Sequence, residues 1–159
     1  MIGKRRRRLG KLINELEIGD SYTATRTIED RDLLLYLGLT DDSNPLYLQH
    51  DYASQTPYNQ PIVPSVLLYG MVSSIISMHL PGPGSHITRH EMFFPKSVHH
   101  FSEVNFNIEI IAIDQTAHQV TMSVVAYDTD GDEVVQGKLN VCPAYEPESI
   151  TGQSLEKFF

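Results

Sequence analysis

Residues 64–80 read PSVLLYGMVSSIISMHL and are followed by PGPG at residues 81–84. This stretch contains no charged side chain, and its apolar residues fall on every side of a helical projection, which predicts a helix enclosed by the rest of the fold. Pro64 suits the first helical position because it has no amide hydrogen to leave unpaired, and the Pro/Gly run ends the helix. At about 25 Å, the helix is too short to cross a bilayer comfortably, so we expect no membrane span.

The segments around this helix have the patterns of an antiparallel sheet. Residues 21–28 are rich in β-branched and aromatic residues and are predicted as the first strand. Acids at the start of residues 29–38 predict a helix there, with Thr27 as its N-cap. After the central helix, four segments alternate apolar and polar residues as half-buried strands of a meander do, near residues 86–95, 103–113, 118–128 and 133–142. Asp130-Gly131 predicts a hairpin between the last two strands, so we expect an α+β fold in which a sheet curls around one helix.

The charge distribution divides the chain into a basic leader and an acidic body. Residues 1–11 contain half of the twelve basic residues, including four consecutive arginines at 5–8, whereas all twenty acidic residues lie after residue 14. The rest of the chain therefore has a net charge of −14, which argues against DNA as a ligand because phosphate binding needs a basic face. We predict a leader at residues 1–11, a single domain at residues 12–145 and a tail at residues 146–159. The leader is expected to be disordered or, alternatively, to contact RNA or an anionic membrane.

Cys142 is the only cysteine, so no intrachain disulfide is possible and a reducing, cytoplasmic location is the simplest expectation. Its neighbours indicate a packed thiol at the end of a strand rather than a nucleophile. The leader lacks the apolar segment of a signal peptide. Because no group of residues has the spacing of a zinc site or of a Gly-rich phosphate loop, we expect no metal and no cofactor.

Residues 40–62 have many helix breakers and little apolar periodicity, and a long irregular segment inside a compact domain is often functional. Within them, residues 40–47 read TDDSNPLY. This run resembles the S-G-D-x-N-P-L-H signature of the MaoC-like, (R)-specific enoyl-CoA hydratase family. Further matches in register are Tyr52-Ala53, Pro61-Ile62-Val63-Pro64, and Phe94, Val98 and Val104 on the family pattern F-x-x-P-V-x-x-G-D-x-V. The resemblance covers about residues 17–143 and implies a hot-dog fold, which is an antiparallel sheet wrapped around a long central helix.

The same resemblance implies a set of site residues. The catalytic aspartate of the family corresponds to Asp42, its asparagine to Asn44 and its catalytic histidine to Tyr47. The family's glycine before the aspartate corresponds to Asp41. The glycine at the start of the central helix, whose backbone amide holds the thioester oxygen, corresponds to Ser65. The implied activity is the reversible addition of water to a trans-2-enoyl thioester carried by coenzyme A or by an acyl carrier protein.

The exchange of histidine for Tyr47 leaves three hypotheses open. Syn addition of water needs a base, a proton donor for the α-carbon and hydrogen-bond donors for the thioester oxygen. A phenol has an ordinary pKa near 10 and is a poor base at neutral pH, although it can hold a water molecule. The protein is then a hydratase in which Asp42 works with a water held by Tyr47, a hydratase that uses another histidine, or a noncatalytic protein that binds acyl thioesters or serves in an assembly.

His50 and His90 are the candidate substitute bases. The alternative for His50 is a surface role, and the alternative for His90 is packing within a strand. Four apolar residues of the central helix are expected to line the acyl tunnel or, alternatively, to form plain core: Leu67, Leu68, Met71 and Val72. Hot-dog proteins typically pair their edge strands and place the acyl site between subunits. We therefore predict a homodimer or a higher oligomer.

Overall fold

The computed structural model describes residues 9–147, which form one sheet, one long helix and four short helical segments. A 3-10 turn at Ile13–Glu15 comes first. The strands are β1 (Ser21–Thr27), β2 (His86–Phe93), β3 (Glu103–Asp114), β4 (Gln119–Tyr127) and β5 (Glu133–Cys142). The α-helices are α1 (Asp30–Thr40), α2 (Pro45–Leu48), α3 (His50–Ala53) and α4 (Ser65–Met78). The predicted central helix and all five predicted strands are therefore confirmed, and the irregular segment before α4 contains two short helices.

The sheet is antiparallel, with the strand order β1-β3-β4-β5-β2. The meander prediction is confirmed for β3, β4 and β5, and the turn at residues 128–132 joins the last two of these strands. However, β2 pairs with β5 at the far edge rather than with β3. Residues 94–102 therefore carry the chain back from β2 to β3, and they pass the start of α4, where the Val63 N–H donates to the Val98 carbonyl at 2.7 Å.

The sheet and α4 share one hydrophobic core. Alternate residues of each strand point into it, as the period of two requires. In β3 these include Phe106, which is one of the largest fully buried side chains of residues 9–147. The buried row of α4 that faces them consists of Leu68, Val72, Ile75 and Ile76. Each large apolar side chain buried between α4 and the sheet stabilises the fold by roughly 1.5–3 kcal/mol.

The opposite face of α4 is open. Val66 near its start and Met78 at its end are 61% and 60% exposed. The prediction that the helix would be enclosed on all sides is therefore wrong within residues 9–147, because a single sheet covers only one side of a cylinder. Within the same residues, no helix combines the length and apolar character that crossing a bilayer requires.

The predicted starts of two helices are corrected. Pro64 is the N-cap of α4 rather than its first residue. Thr27 is the last residue of β1 rather than an N-cap, and Glu29 caps α1, with its N–H donating to the Asp32 carboxylate at 2.9 Å. The reason is that the Ile28 N–H continues the strand pairing by donating to the Ser102 carbonyl at 3.1 Å.

Gly10 and Lys11, at the end of the predicted leader, contact the loop after α4. The Gly10 N–H donates to the Pro83 carbonyl at 2.8 Å, and the Lys11 N–H donates to the Pro81 carbonyl at 2.9 Å. Gly10 is needed at this contact because a Cβ atom would collide with the Pro81 carbonyl oxygen. The arginine run and the C-terminal tail from residue 148 onward lie outside the described residues.

Candidate active site

The turn after α1 sets the direction of the candidate catalytic loop. Asp41 adopts a left-handed backbone conformation with φ 57°, and its N–H donates to the Leu37 carbonyl at 2.8 Å. This conformation ends a helix and favours glycine, although aspartate and asparagine tolerate it. It explains why the resembled signature has glycine at this position.

Asp42 follows this turn and is half-buried. Its Oδ2 accepts a hydrogen bond from the Tyr36 hydroxyl at 2.8 Å. Its backbone N–H donates to Thr40 Oγ1 at 3.3 Å, and the Thr40 hydroxyl donates in turn to the Tyr36 carbonyl at 2.7 Å. The candidate acid/base is therefore held at both its backbone and its carboxylate. Tyr36 was not among the predicted site residues, because a spacing of six residues carries no periodic signal and the contact depends on the turn between them.

Asn44 and Pro45 place Tyr47 on the first turn of α2. The Asn44 side-chain oxygen accepts from the Leu46 N–H at 3.0 Å, and Pro45 occupies the first helical position, so this short helix has both of its preferred starting residues. Tyr47 is half-buried. Burial raises its pKa above the usual 10.0, the Asp42 charge raises it further, and a hydrogen bond from Asn44 opposes both. Tyr47 is therefore a neutral phenol at physiological pH.

Tyr47 and Ser65 both line a cavity of about 260 Å³. Ser65 is the first residue of α4. Leu68 forms the helix side of this cavity. The remaining walls come from the loop before α4 and from the return loop after β2, through Tyr58, Ile62, Val63, Phe94, Pro95, Lys96, Ser97 and Val98. Tyr58 and Phe94 supply aromatic surface, so the cavity combines an apolar wall with a few polar groups, as small-molecule sites do.

The start of α4, where Ser65 lines this cavity, has backbone amides without acceptors within residues 9–147. The first N–H groups of a helix have no intrahelical acceptors. Pro64 accepts from the Leu67 N–H at 3.0 Å, whereas the N–H groups of Ser65 and Val66 form no hydrogen bond within residues 9–147. Free amides at the positive end of a helix dipole favour an oxygen that gains negative charge.

Comparison with known proteins identifies the family of this chain. The sequence model of the protein family described as "MaoC like domain" matches residues 14–131. The chain belongs to the MaoC-like family. Among its relatives, the MaoC-like chain is 26% identical over 127 residues to an (R)-specific enoyl-CoA hydratase of Rhodospirillum rubrum, with 80% of this chain and 88% of the relative covered. It is 28% identical over 127 residues to a mitochondrial 3-hydroxyacyl-(acyl-carrier-protein) dehydratase of Solanum lycopersicum, with 79% and 76% covered.

Solved structures agree on the fold. The MaoC-like chain superposes on an unliganded R-hydratase from Pseudomonas aeruginosa with a TM-score of 0.80 and 26% identity, covering 89% of this chain and 97% of that chain. An (R)-hydratase from Aeromonas caviae gives a TM-score of 0.76 at 26% identity, covering 79% and 96%. The hot-dog fold expected from the sequence motifs is confirmed.

The two histidines considered as substitute bases lie outside the cavity of the MaoC-like protein. His50 is the exposed first residue of α3, separated from α2 by Gln49. His90 is an exposed residue of the edge strand β2, where its ring packs on Tyr69 with the ring centroids 4.3 Å apart.

The predicted acyl tunnel corresponds only in part to the cavity. Leu68 lines the cavity, whereas Leu67 and Met71 pack against the core and Val72 is fully buried in it. The cavity opens at the first turn of α4, so residues farther along the helix lie beyond it. The aromatic residue Phe94 on the return loop takes a lining position that the helix pattern could not indicate.

Lys96 anchors the return loop that forms one wall of the cavity. Its Nζ contacts the Asp128 carboxylate at 2.7 Å and the Asp132 carboxylate at 2.6 Å, both on the β4–β5 hairpin. These hydrogen bonds raise the pKa of Lys96 and lower that of Asp128 below the usual 3.8. Asp130 completes a group of three carboxylates with the spacing of a cation site, and the Lys96 ammonium already neutralises part of its charge.

Proposed function

We propose that this MaoC-like protein is an acyl-thioester hydratase/dehydratase that reversibly adds water to a trans-2-enoyl group carried by coenzyme A or by an acyl carrier protein. The observation that carries the proposal is the cavity shared by Tyr47 and Ser65, with the Asp42 carboxylate close enough to raise the pKa of Tyr47. The names of the relatives, which include both an enoyl-CoA hydratase and an acyl-carrier-protein dehydratase, support the same chemistry.

In the proposed reaction, the N–H of Ser65 donates to the thioester oxygen. A water molecule held by the Tyr47 hydroxyl adds its oxygen to C3 of the enoyl group, and its proton passes to Asp42. The electron pair of the C2=C3 bond moves toward C2 and the thioester oxygen, where the helix amides stabilise the developing charge. Asp42 then delivers its proton to C2, which yields the 3-hydroxyacyl thioester and restores the carboxylate.

Noncatalytic binding of acyl thioesters is the second candidate. The specific observation in its favour is that Tyr47 stands where the resembled signature has its catalytic histidine, because a phenol is a poor base at neutral pH. In that case the cavity and the Ser65 amide would still hold a thioester, but Asp42 would have no activated water beside it.

The decay of enoyl absorbance with crotonyl-CoA distinguishes the two candidates. We expect turnover by the wild type and a loss of about 10²–10⁴ in rate for Asp42→Asn, the usual contribution of a positioned acid/base. Asp51→Asn is the matched control, because Asp51 is an exposed aspartate of α3 and its variant should keep the wild-type rate. An Asp42→Asn variant that keeps the wild-type rate would contradict the mechanism. Calorimetric binding of crotonyl-CoA by a wild type without turnover would establish the second candidate.

A homodimer and a cytoplasmic location are part of the proposal. The strand β2 is an edge of the sheet, and most of its residues are exposed, so pairing with a second copy would cover unpaired backbone groups. The single, buried Cys142 suits a reducing compartment. Analytical ultracentrifugation tests the oligomer, and a purely monomeric protein at the concentrations of the assay would contradict it.

A further inference from the structure

The hydrogen bond between Tyr36 and Asp42 distinguishes the two oxygens of the candidate catalytic carboxylate. Oδ2 accepts from the Tyr36 hydroxyl at 2.8 Å. Within residues 9–147, Oδ1 accepts no hydrogen bond from a protein group. One oxygen is therefore engaged by the fold, and the other has its lone pairs available.

We propose that Tyr36 is a positioning residue for the hydration reaction: its hydroxyl fixes the Asp42 carboxylate through Oδ2 and leaves Oδ1 to exchange the proton with water and with C2. This inference rests on the proposed function and extends it to a residue outside the resembled signature. Tyr36 acts through Asp42 and has no contact with the substrate in this scheme.

The geometry restrains Asp42 from two sides. The Thr40 hydroxyl joins the backbone of Tyr36 to the backbone of Asp42, since it donates to the Tyr36 carbonyl and accepts from the Asp42 N–H. The Tyr36 hydroxyl then closes a ring of contacts on the Asp42 side chain. Holding an acid/base within a narrow range of positions matters because a displacement of about 1 Å can reduce a rate by a factor of about 10².

Tyr36 remains a donor over the useful pH range. Its hydrogen bond to Asp42 raises its pKa above the usual 10.0, and burial and the Asp42 charge act in the same direction, while Thr40 opposes them. A neutral phenol donates its proton to the carboxylate, whereas a phenolate would repel it. The contact therefore persists wherever Asp42 is ionised and Tyr36 is not.

The experiment compares Tyr36→Phe, Asp42→Asn and the double variant in the full chain with crotonyl-CoA. Loss of one hydrogen bond to a charged group predicts a fall in kcat of about tenfold for Tyr36→Phe with KM unchanged. If Tyr36 acts only through Asp42, the double variant should be no slower than Asp42→Asn alone. Tyr127→Phe is the matched control, because it removes the hydroxyl of an exposed tyrosine at the end of β4.

A titration of Tyr36 tests the pair without relying on activity. Carbon-13 labelling of tyrosine rings, with the Tyr36 signal assigned by its absence from Tyr36→Phe, should show a pKa above the usual range that falls in Asp42→Asn. A purely structural role for Tyr36 would not produce that fall.

Three results would overturn the inference. They are an unchanged kcat in Tyr36→Phe, an equal loss from Tyr36→Phe in the wild-type and Asp42→Asn backgrounds, and a Tyr36 titration that Asp42→Asn leaves unchanged. A wild type that does not hydrate crotonyl-CoA would overturn the proposed function and this role together. An active wild type with an unaffected Tyr36→Phe would overturn the role of Tyr36 alone.

Discussion

Replacing Ser65 with proline would remove one backbone donor from the start of α4 and leave the fold in place. Proline is well tolerated at the first helical position, because the amide there has no intrahelical acceptor. Pro64 has φ −55° and ψ 131°, an extended conformation that suits a residue preceding proline. Since Ser65 is exposed and its N–H has no partner within residues 9–147, the ring should displace no core residue and break no hydrogen bond.

The size of the expected effect follows from the role of that amide. If the Ser65 N–H stabilises the thioester oxygen in the transition state, its loss should reduce kcat by about 10²–10³, or about 2.7–4 kcal/mol. Stability should change little or rise by about 0.4–1 kcal/mol, because proline restricts the unfolded chain at a position whose folded conformation it can adopt. The two quantities therefore move independently, which separates catalysis from unfolding.

The assay is hydration of crotonyl-CoA, followed by the loss of enoyl absorbance, together with urea unfolding of each variant. Ser65→Ala and Ser65→Gly are the matched controls, because both remove the hydroxyl and keep the backbone N–H. We expect both controls to retain a rate within a few-fold of the wild type, because the proposed mechanism gives the Ser65 hydroxyl no role.

A folded Ser65→Pro variant with the rate of Ser65→Ala would refute the assignment of the amide. A loss in Ser65→Ala as large as that in Ser65→Pro would transfer the role from the backbone amide to the serine hydroxyl. Either result would require another donor for the thioester oxygen, and the Val66 amide is the nearest one along the chain.

Three further predictions concern the walls and turns of the site. Tyr47→His should raise kcat in the same assay at about pH 7, because a neutral imidazole with an ordinary pKa near 6.5 accepts a proton that the phenol cannot; an unchanged rate would count against a missing base. Asp41→Gly should raise the free energy of unfolding in urea by about 0.5 kcal/mol, because glycine adopts φ 57° without the strain of a Cβ atom; a decrease would show that the Asp41 side chain stabilises the turn. Lys96→Met should make stability depend less on pH below about pH 4. The ionised Asp128 carboxylate stabilises the folded state at pH values above 3.8, its usual pKa, and this contribution is lost as the pH falls through the lowered pKa of the folded state. Urea midpoints measured from about pH 2 to pH 5 check the last expectation, and an unaltered pH profile would contradict it.

The elements of this fold could be predicted from local patterns. Alternation with a period of two marks β3, β4 and β5, the Asp130-Gly131 pair marks their last turn, and an uncharged run ended by proline and glycine marks α4. Such signals are visible along the chain because they arise between residues a few positions apart. The signature at residues 40–47 identified the family for the same reason.

Only the tertiary structure decided which groups meet. The return of the chain from the edge strand β2 across the sheet brings residues 94–98 to the start of α4, so the cavity that joins Tyr47 to Ser65 forms between segments distant in sequence. The left-handed turn at Asp41 brings the Tyr36 hydroxyl onto Asp42. No periodic pattern or fixed spacing of residues predicts either contact, because each depends on the packing of whole elements against one shared core.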